Sequence, residues 1–173
     1  LPHWSEQKQK SLQLFTCVYG DRGCRARILY AVEQFDSREP LDVVLAEDDP
    51  DMAEMNRRAL TADGHRVEVA RDGAEAVEAV HRVEPDLLIL DMQMPRKNGM
   101  EVVEELRADP ATEDQPVVML TNAELTPDEE HRLRRLGVID LLAKWRVGPI
   151  HLVQWIRQWA SRYAHRPRPR HGT

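Results

Sequence analysis

The chain has 173 residues, 42% of them hydrophobic and 31% charged, and its 30 acidic side chains against 24 Lys plus Arg give a net charge of −6. At roughly 150 residues per domain that is enough apolar material for one core with some chain to spare, and it excludes collagen-like, mucin-like and disulfide-dense classes. No apolar run approaches the roughly 20 residues of a bilayer span, and the first ten residues are too polar for a signal-peptide core, so a cytosolic protein without membrane attachment is expected.

Residues 1–40 form a near-neutral leader, with 6 basic and 5 acidic side chains. Its two apolar patches, Leu12 to Tyr19 and Ile28 to Phe35, keep no helical period. Cys17 and Cys24 lack the second Cys or His pair that a zinc site needs and read as reduced thiols. The chain opens on Leu1, and its first methionine, Met52, falls inside the first helix of the domain that follows. The leader is therefore expected to reflect a mis-assigned start or a fragment. Ser37-Arg38-Glu39-Pro40 reads as a linker.

A regular domain follows, predicted over 41–161. The run Leu41 to Ala46 is short, β-branched and apolar, as a strand buried in a parallel sheet should be. Asp49 can cap a helix with Pro50 at its first position, Met52, Met55, Ala59 and Leu60 fall on one face, and Gly64 stops it. Arg66 to Ala70 reads as a strand, and Asp72-Gly73 opens a helix through Ala76, Val77 and Val80 that Glu84-Pro85 breaks. Asp86 to Leu90 is the most apolar strand, and Asp91 ends it. A helix with Val102, Val103 and Leu106 follows Asn98-Gly99 and closes at Asp109-Pro110. Val117 to Leu120 is the fourth strand, Thr126-Pro127 to Gly137 the fourth helix and Val138 to Ala143 the fifth strand. A last helix runs from Gly148-Pro149 to about Ser161. Its stripe of Leu152, Trp155, Ile156 and Trp159 is mostly core with some room for a partner. Residues 162–173 hold four arginines and no acid. With Arg166-Pro167-Arg168-Pro169-Arg170 they read as a disordered basic tail.

Strands alternating with helices predict an α/β fold, a flavodoxin-like doubly wound (βα)5 sandwich with a five-stranded parallel sheet in the order 2-1-3-4-5. Ligands of such sheets bind beyond the carboxyl ends of the strands, where the order reverses. Glu47, Asp48 and Asp49 stand there after strand one, Asp91 after strand three, Thr121 after strand four and Lys144 after strand five, with nothing functional after strand two. Clustered carboxylates repel, so keeping them ionised calls for a cation, and an all-oxygen set suits Mg²⁺. Residues 41–159 hold 25 acidic against 14 basic side chains, a balance that also disfavours broad DNA binding. The seven histidines share no metal spacing and are expected at the surface.

Glu47-Asp48-Asp49, the run Leu87-Leu88-Ile89-Leu90-Asp91-Met92-Gln93-Met94-Pro95, Gly99, Leu120-Thr121 and Lys144 together resemble the receiver domains of two-component response regulators, the single-domain CheY-like kind. The resemblance implies that Asp91 accepts a phosphoryl group from a sensor histidine kinase or a histidine phosphotransfer protein. It implies Mg²⁺ held by Glu47, Asp48, Asp91 and the main-chain carbonyl of Gln93, with Lys144 and Thr121 on the phosphoryl group. Asp49 keeps its reading as a helix cap. The resemblance further implies a possible homodimer through helix four, strand five and helix five. With no DNA-binding domain legible in the flanks, output is expected through an unknown protein target.

The departures from the family pattern are specific. Trp145 replaces the usual cis-Pro after Lys144, so a trans bond is expected there. Leu141 replaces the usual switch aromatic. Ala123 offers no polar group to orient a hydrolytic water, which predicts slow self-dephosphorylation. Two other readings are a Mg²⁺-dependent aspartyl-phosphate phosphatase, which would want an acid where Gln93 stands, and the receiver fragment of a larger hybrid protein.

Overall fold

The computed structural model describes residues 40–122 and 124–163. The expectations on the leader with its cysteines, on Ala123 and on the tail beyond 163 lie outside the described residues. Within them the chain alternates β1 (Asp42–Ala46), α1 (Pro50–Ala62), β2 (Arg66–Ala70), α2 (Gly73–Val83), β3 (Leu87–Leu90), α3 (Gly99–Ala108), β4 (Val117–Thr121), α4 (Pro127–Arg135), β5 (Asp140–Ala143) and α5 (Pro149–Tyr163). All strand pairs are parallel, in the order β2-β1-β3-β4-β5. The strand order reverses at β1, whose residues pair with β2 on one side and β3 on the other.

Both faces of the sheet are covered, which is why β3 and β4 read as unbroken apolar runs. Side chains alternate across the sheet. Val44, Ala46, Leu88, Leu90 and Met119 pack with Val80 of α2, Val103 and Leu106 of α3 and Leu133 of α4. Val43, Leu45, Leu87, Ile89, Val118 and Leu120 pack on the other face with Leu60 of α1 and with Leu152 and Ile156 of α5. The helix starts obey local chemistry: Asp49 accepts from the Asp51 and Met52 N–H groups at 2.9 and 3.0 Å, with Pro50 at the first helical position. Asn98 with Glu101 and Thr126 with Glu129 make reciprocal capping boxes on α3 and α4.

Several sequence expectations are corrected. The inward face of α1 is Ala53, Asn56 and Leu60, while Met55 is 44% exposed. The helix is rotated from the methionine stripe because it turns a polar residue, Asn56, toward the sheet. Leu41, Asp86, Val138 and Ile139 lie outside the strands, and α5 continues to Tyr163. His65 is buried, because its Nδ1 accepts the Leu41 N–H at 3.3 Å and its Nε2 lies 3.3 Å from Asp63 Oδ2. Trp155 and Trp159 stack in parallel at 6.4 Å, half-buried against the core, and the Trp155 indole donates to Asp140 at 2.8 Å. Among the described residues, no helix is long and apolar enough to cross a membrane.

Candidate functional site

Two adjacent parallel strands deliver carboxylates to one edge. Glu47 and Asp48 follow β1, and Asp91 follows β3, whose four residues are inaccessible to solvent and fix it rigidly. Carboxylate oxygens of Glu47, Asp48 and Asp91 lie within 4.8 Å of one another. Glu47 and Asp91 are buried, whereas Asp48 is exposed. Asp49, in line with its expected role, faces away as the cap of α1.

Lys144 enters from the far side of the sheet. Its N–H donates to the Thr121 carbonyl at 3.0 Å, continuing the β4–β5 ladder one residue past Ala143. The ammonium then reaches across β4 and β3 to Asp91 Oδ2 at 2.6 Å and to Glu47 Oε2 at 2.6 Å. All three side chains in this bridge are under a tenth exposed. The bond to Glu47 is a contact that sequence reasoning missed: the predicted sheet order puts Glu47 and Lys144 at one edge but does not say which side chains there will bond.

The electrostatics follow from that burial. Desolvation pushes the Glu47 carboxyl above the usual carboxylate range, against the opposing pull of the Lys144 hydrogen bond. Desolvation also pulls Lys144 down, but its hydrogen bonds to Asp91 and Glu47 outweigh it and hold the ammonium above its ordinary value. With all three acids ionised, one ammonium leaves an excess of negative charge. An all-oxygen set of this kind, open on the Asp48 side, fits a hard divalent cation such as Mg²⁺.

Thr121 ends β4, buried beside this edge. Gln93 begins the loop after Asp91; its N–H points at Asp91 Oδ1 at 3.3 Å and its side chain is exposed. Gly99 is required where it is, because a Cβ there would lie 2.4 Å from the Asp91 carbonyl oxygen. Leu141 packs half-buried against the α2–α4 side of the core. The Lys144–Trp145 bond is trans, and Trp145 is 70% exposed, with the Arg146 guanidinium 4.4 Å from its ring centroid. At the end of β2, where no site residue is expected, Asp72 is buried and ion-paired to Arg96 of the loop after Asp91.

A doubly wound parallel sheet carrying acids after β1 and β3 and a lysine after β5 defines a class of phosphoryl-accepting signalling modules. Residues 43–157 match the family model described as the response regulator receiver domain, and the chain belongs to that family. Among curated proteins it is similar to the response regulator MprA of Mycobacterium leprae, 43% identical over 79 residues that make up 46% of this chain and 34% of that protein. The chain thus spans about a third of the length of the curated relatives it matches. Among solved structures it is similar to the chemotaxis protein CheY4 of Vibrio cholerae, 27% identical with a TM-score of 0.62, covering 69% of this chain and 98% of that one. It is also similar to the signal receiver domain of a signal transduction histidine kinase from Syntrophus aciditrophicus, 26% identical with a TM-score of 0.64, covering 74% and 96%.

Proposed function

We propose that residues 41–161 act as a phosphorylation-controlled receiver in the cytoplasm, in which Asp91 takes a phosphoryl group from the phosphohistidine of a sensor histidine kinase or a histidine phosphotransfer protein. The observation that carries this reading is the Lys144 ammonium held on both Asp91 and Glu47, with Asp48 open beside them. It leaves Asp91 Oδ1 as the oxygen free of the lysine for attack on phosphorus. As the new P–O bond forms, the P–N bond of the phosphohistidine breaks, and the departing imidazole keeps the electron pair and takes up a proton. Glu47, Asp48, Asp91 and the Gln93 carbonyl would hold Mg²⁺, which when bound offsets the carboxylates and the phosphoryl oxygens. Lys144 then moves from the Asp91 oxygen to a phosphoryl oxygen, and the Thr121 hydroxyl turns to the same group. With Leu141 in place of an aromatic side chain, the shift at Thr121 passes to the α4–β5–α5 face through the backbone of β4 and β5, and output is a protein contact there, a second copy included.

Incubation with acetyl phosphate and Mg²⁺ followed by intact-mass measurement tests the reading. A single phosphoryl adduct is expected on the wild-type chain and none on Asp91→Asn. An adduct that persists in Asp91→Asn, or a wild-type chain that never gains one, overturns it.

A further inference from the structure

The loop after Asp91 is built around an unfavourable backbone conformation. Arg96 has φ +65°, in the left-handed region that side chains resist. The Lys97 N–H donates to the Pro95 carbonyl at 2.7 Å across it, making a three-residue turn whose positive-φ form is rare and strained. Such a turn persists only if its surroundings hold it.

The guanidinium supplies that hold. Arg96 is ion-paired to Asp72 and lies 3.4 Å from Glu75. The Asp72 side chain is only 6% exposed, and its two oxygens divide the task. Oδ1 accepts the Ala74 and Glu75 N–H groups at 2.9 and 3.0 Å, capping α2, and Oδ2 takes Arg96. The loop is therefore fastened to the first turn of a helix and not to a swinging side chain. Its backbone seats at the same place, since a Cβ on Gly73 would lie 2.1 Å from the Lys97 carbonyl oxygen. At the loop's two ends, the Gly99 N–H donates to the Met92 carbonyl at 2.9 Å and the Gln93 N–H faces Asp91.

From these contacts we infer that Arg96 is a positioning residue for the acidic site: paired with Asp72, it fixes the turn that keeps the Gln93 main chain against Asp91. The inference rests on the phosphoacceptor reading above, in which the Gln93 carbonyl completes the metal ligands. Its own content is that metal affinity depends on a charge outside the ligand set, 24 residues of chain away from its partner.

The test is Mg²⁺ affinity of the full chain by titration calorimetry, with thermal unfolding in metal-free buffer as the control for folding. Arg96→Gly removes the charge while easing the turn, so it stays folded. It is expected to weaken Mg²⁺ about ten-fold, the scale set by groups that orient metal ligands from outside. Arg96→Lys restores most of that affinity. Asp72→Asn keeps an oxygen for the α2 cap but weakens Mg²⁺ as Arg96→Gly does, and the double variant is no weaker than either single one. Arg96→Gly binding within about two-fold of wild type, or Arg96→Lys as weak as Arg96→Gly, overturns the positioning role alone. A wild-type chain that does not bind Mg²⁺ overturns the phosphoacceptor reading, and the positioning role with it.

Discussion

Lys144 answers for two carboxylates at once. Glu47 and Asp91 are held at the ends of different strands, both nearly inaccessible, and the same ammonium bonds each at 2.6 Å. Removing one partner of a buried pair costs more than the pair itself contributes, because the charge left behind keeps its desolvation penalty. Lys144→Met, which retains the stem but not the charge, is expected to lower unfolding free energy by about 3 kcal/mol in metal-free buffer. Part of that loss should return with Mg²⁺, which offers the acids a different counter-charge. Urea unfolding with and without the ion checks both statements, and a metal-free stability equal to wild type would show that the bridge contributes nothing. Seen from single residues, Asp91, Glu47, Asp48 and Lys144 were legible because each ends a strand and the sheet order brings strand ends together. The Glu47–Lys144 bond and the Arg96–Asp72 pair were not, because the sheet order gathers strand ends and loops at one edge without specifying which side chains there pair.

At the scale of elements, the loops are as tightly specified as the strands. Gly73 opens α2, a position where alanine ordinarily favours the helix by about 1 kcal/mol. Here the added Cβ would meet backbone, the Lys97 carbonyl oxygen and carbon at 2.1 and 2.8 Å, which cannot swing aside as a side chain can. The clash wins over propensity, and Gly73→Ala should destabilise the chain by about 2 kcal/mol or more. A thermal or urea melt at or above wild type would refute that. Strands β1, β3 and β4 were readable because burial on both faces leaves an unbroken apolar run, and helix starts because Asp49, Asn98 and Thr126 announce themselves as caps. The inward face of α1 was not, since hydrophobicity pointed to Met52 and Met55 while the packed face carries Asn56. A polar residue turned inward is invisible to a pattern that equates inside with apolar.

At the scale of the whole molecule, His65 links acidity to stability at the edge opposite the acidic site, where β1 and β2 begin. Burial pushes its imidazole below the ordinary value near 6.5, and Asp63 only partly opposes this. Nδ1 is committed as an acceptor to the Leu41 N–H. Asp63, facing Nε2, is shared with Arg157 of α5. Because the folded state holds the proton less tightly than the unfolded chain, this contribution is present above the unfolded value and is lost as pH falls through the folded one. Unfolding free energy should therefore drop as pH falls below the ordinary imidazole value near 6.5. His65→Gln, which keeps an acceptor but does not titrate, should flatten that drop, and an unchanged slope would exclude His65 as its source.

The lysine bridge has one more consequence, which belongs to the order of synthesis. Lys144 follows Glu47 by 97 residues and Asp91 by 53, so both carboxylates leave the ribosome well before their shared cation. A nascent or truncated polypeptide that stops short of β5 carries Asp91 and Glu47 without the lysine that pairs with both. Only with the last strand do Glu47 and Asp91 gain the ammonium that bridges them.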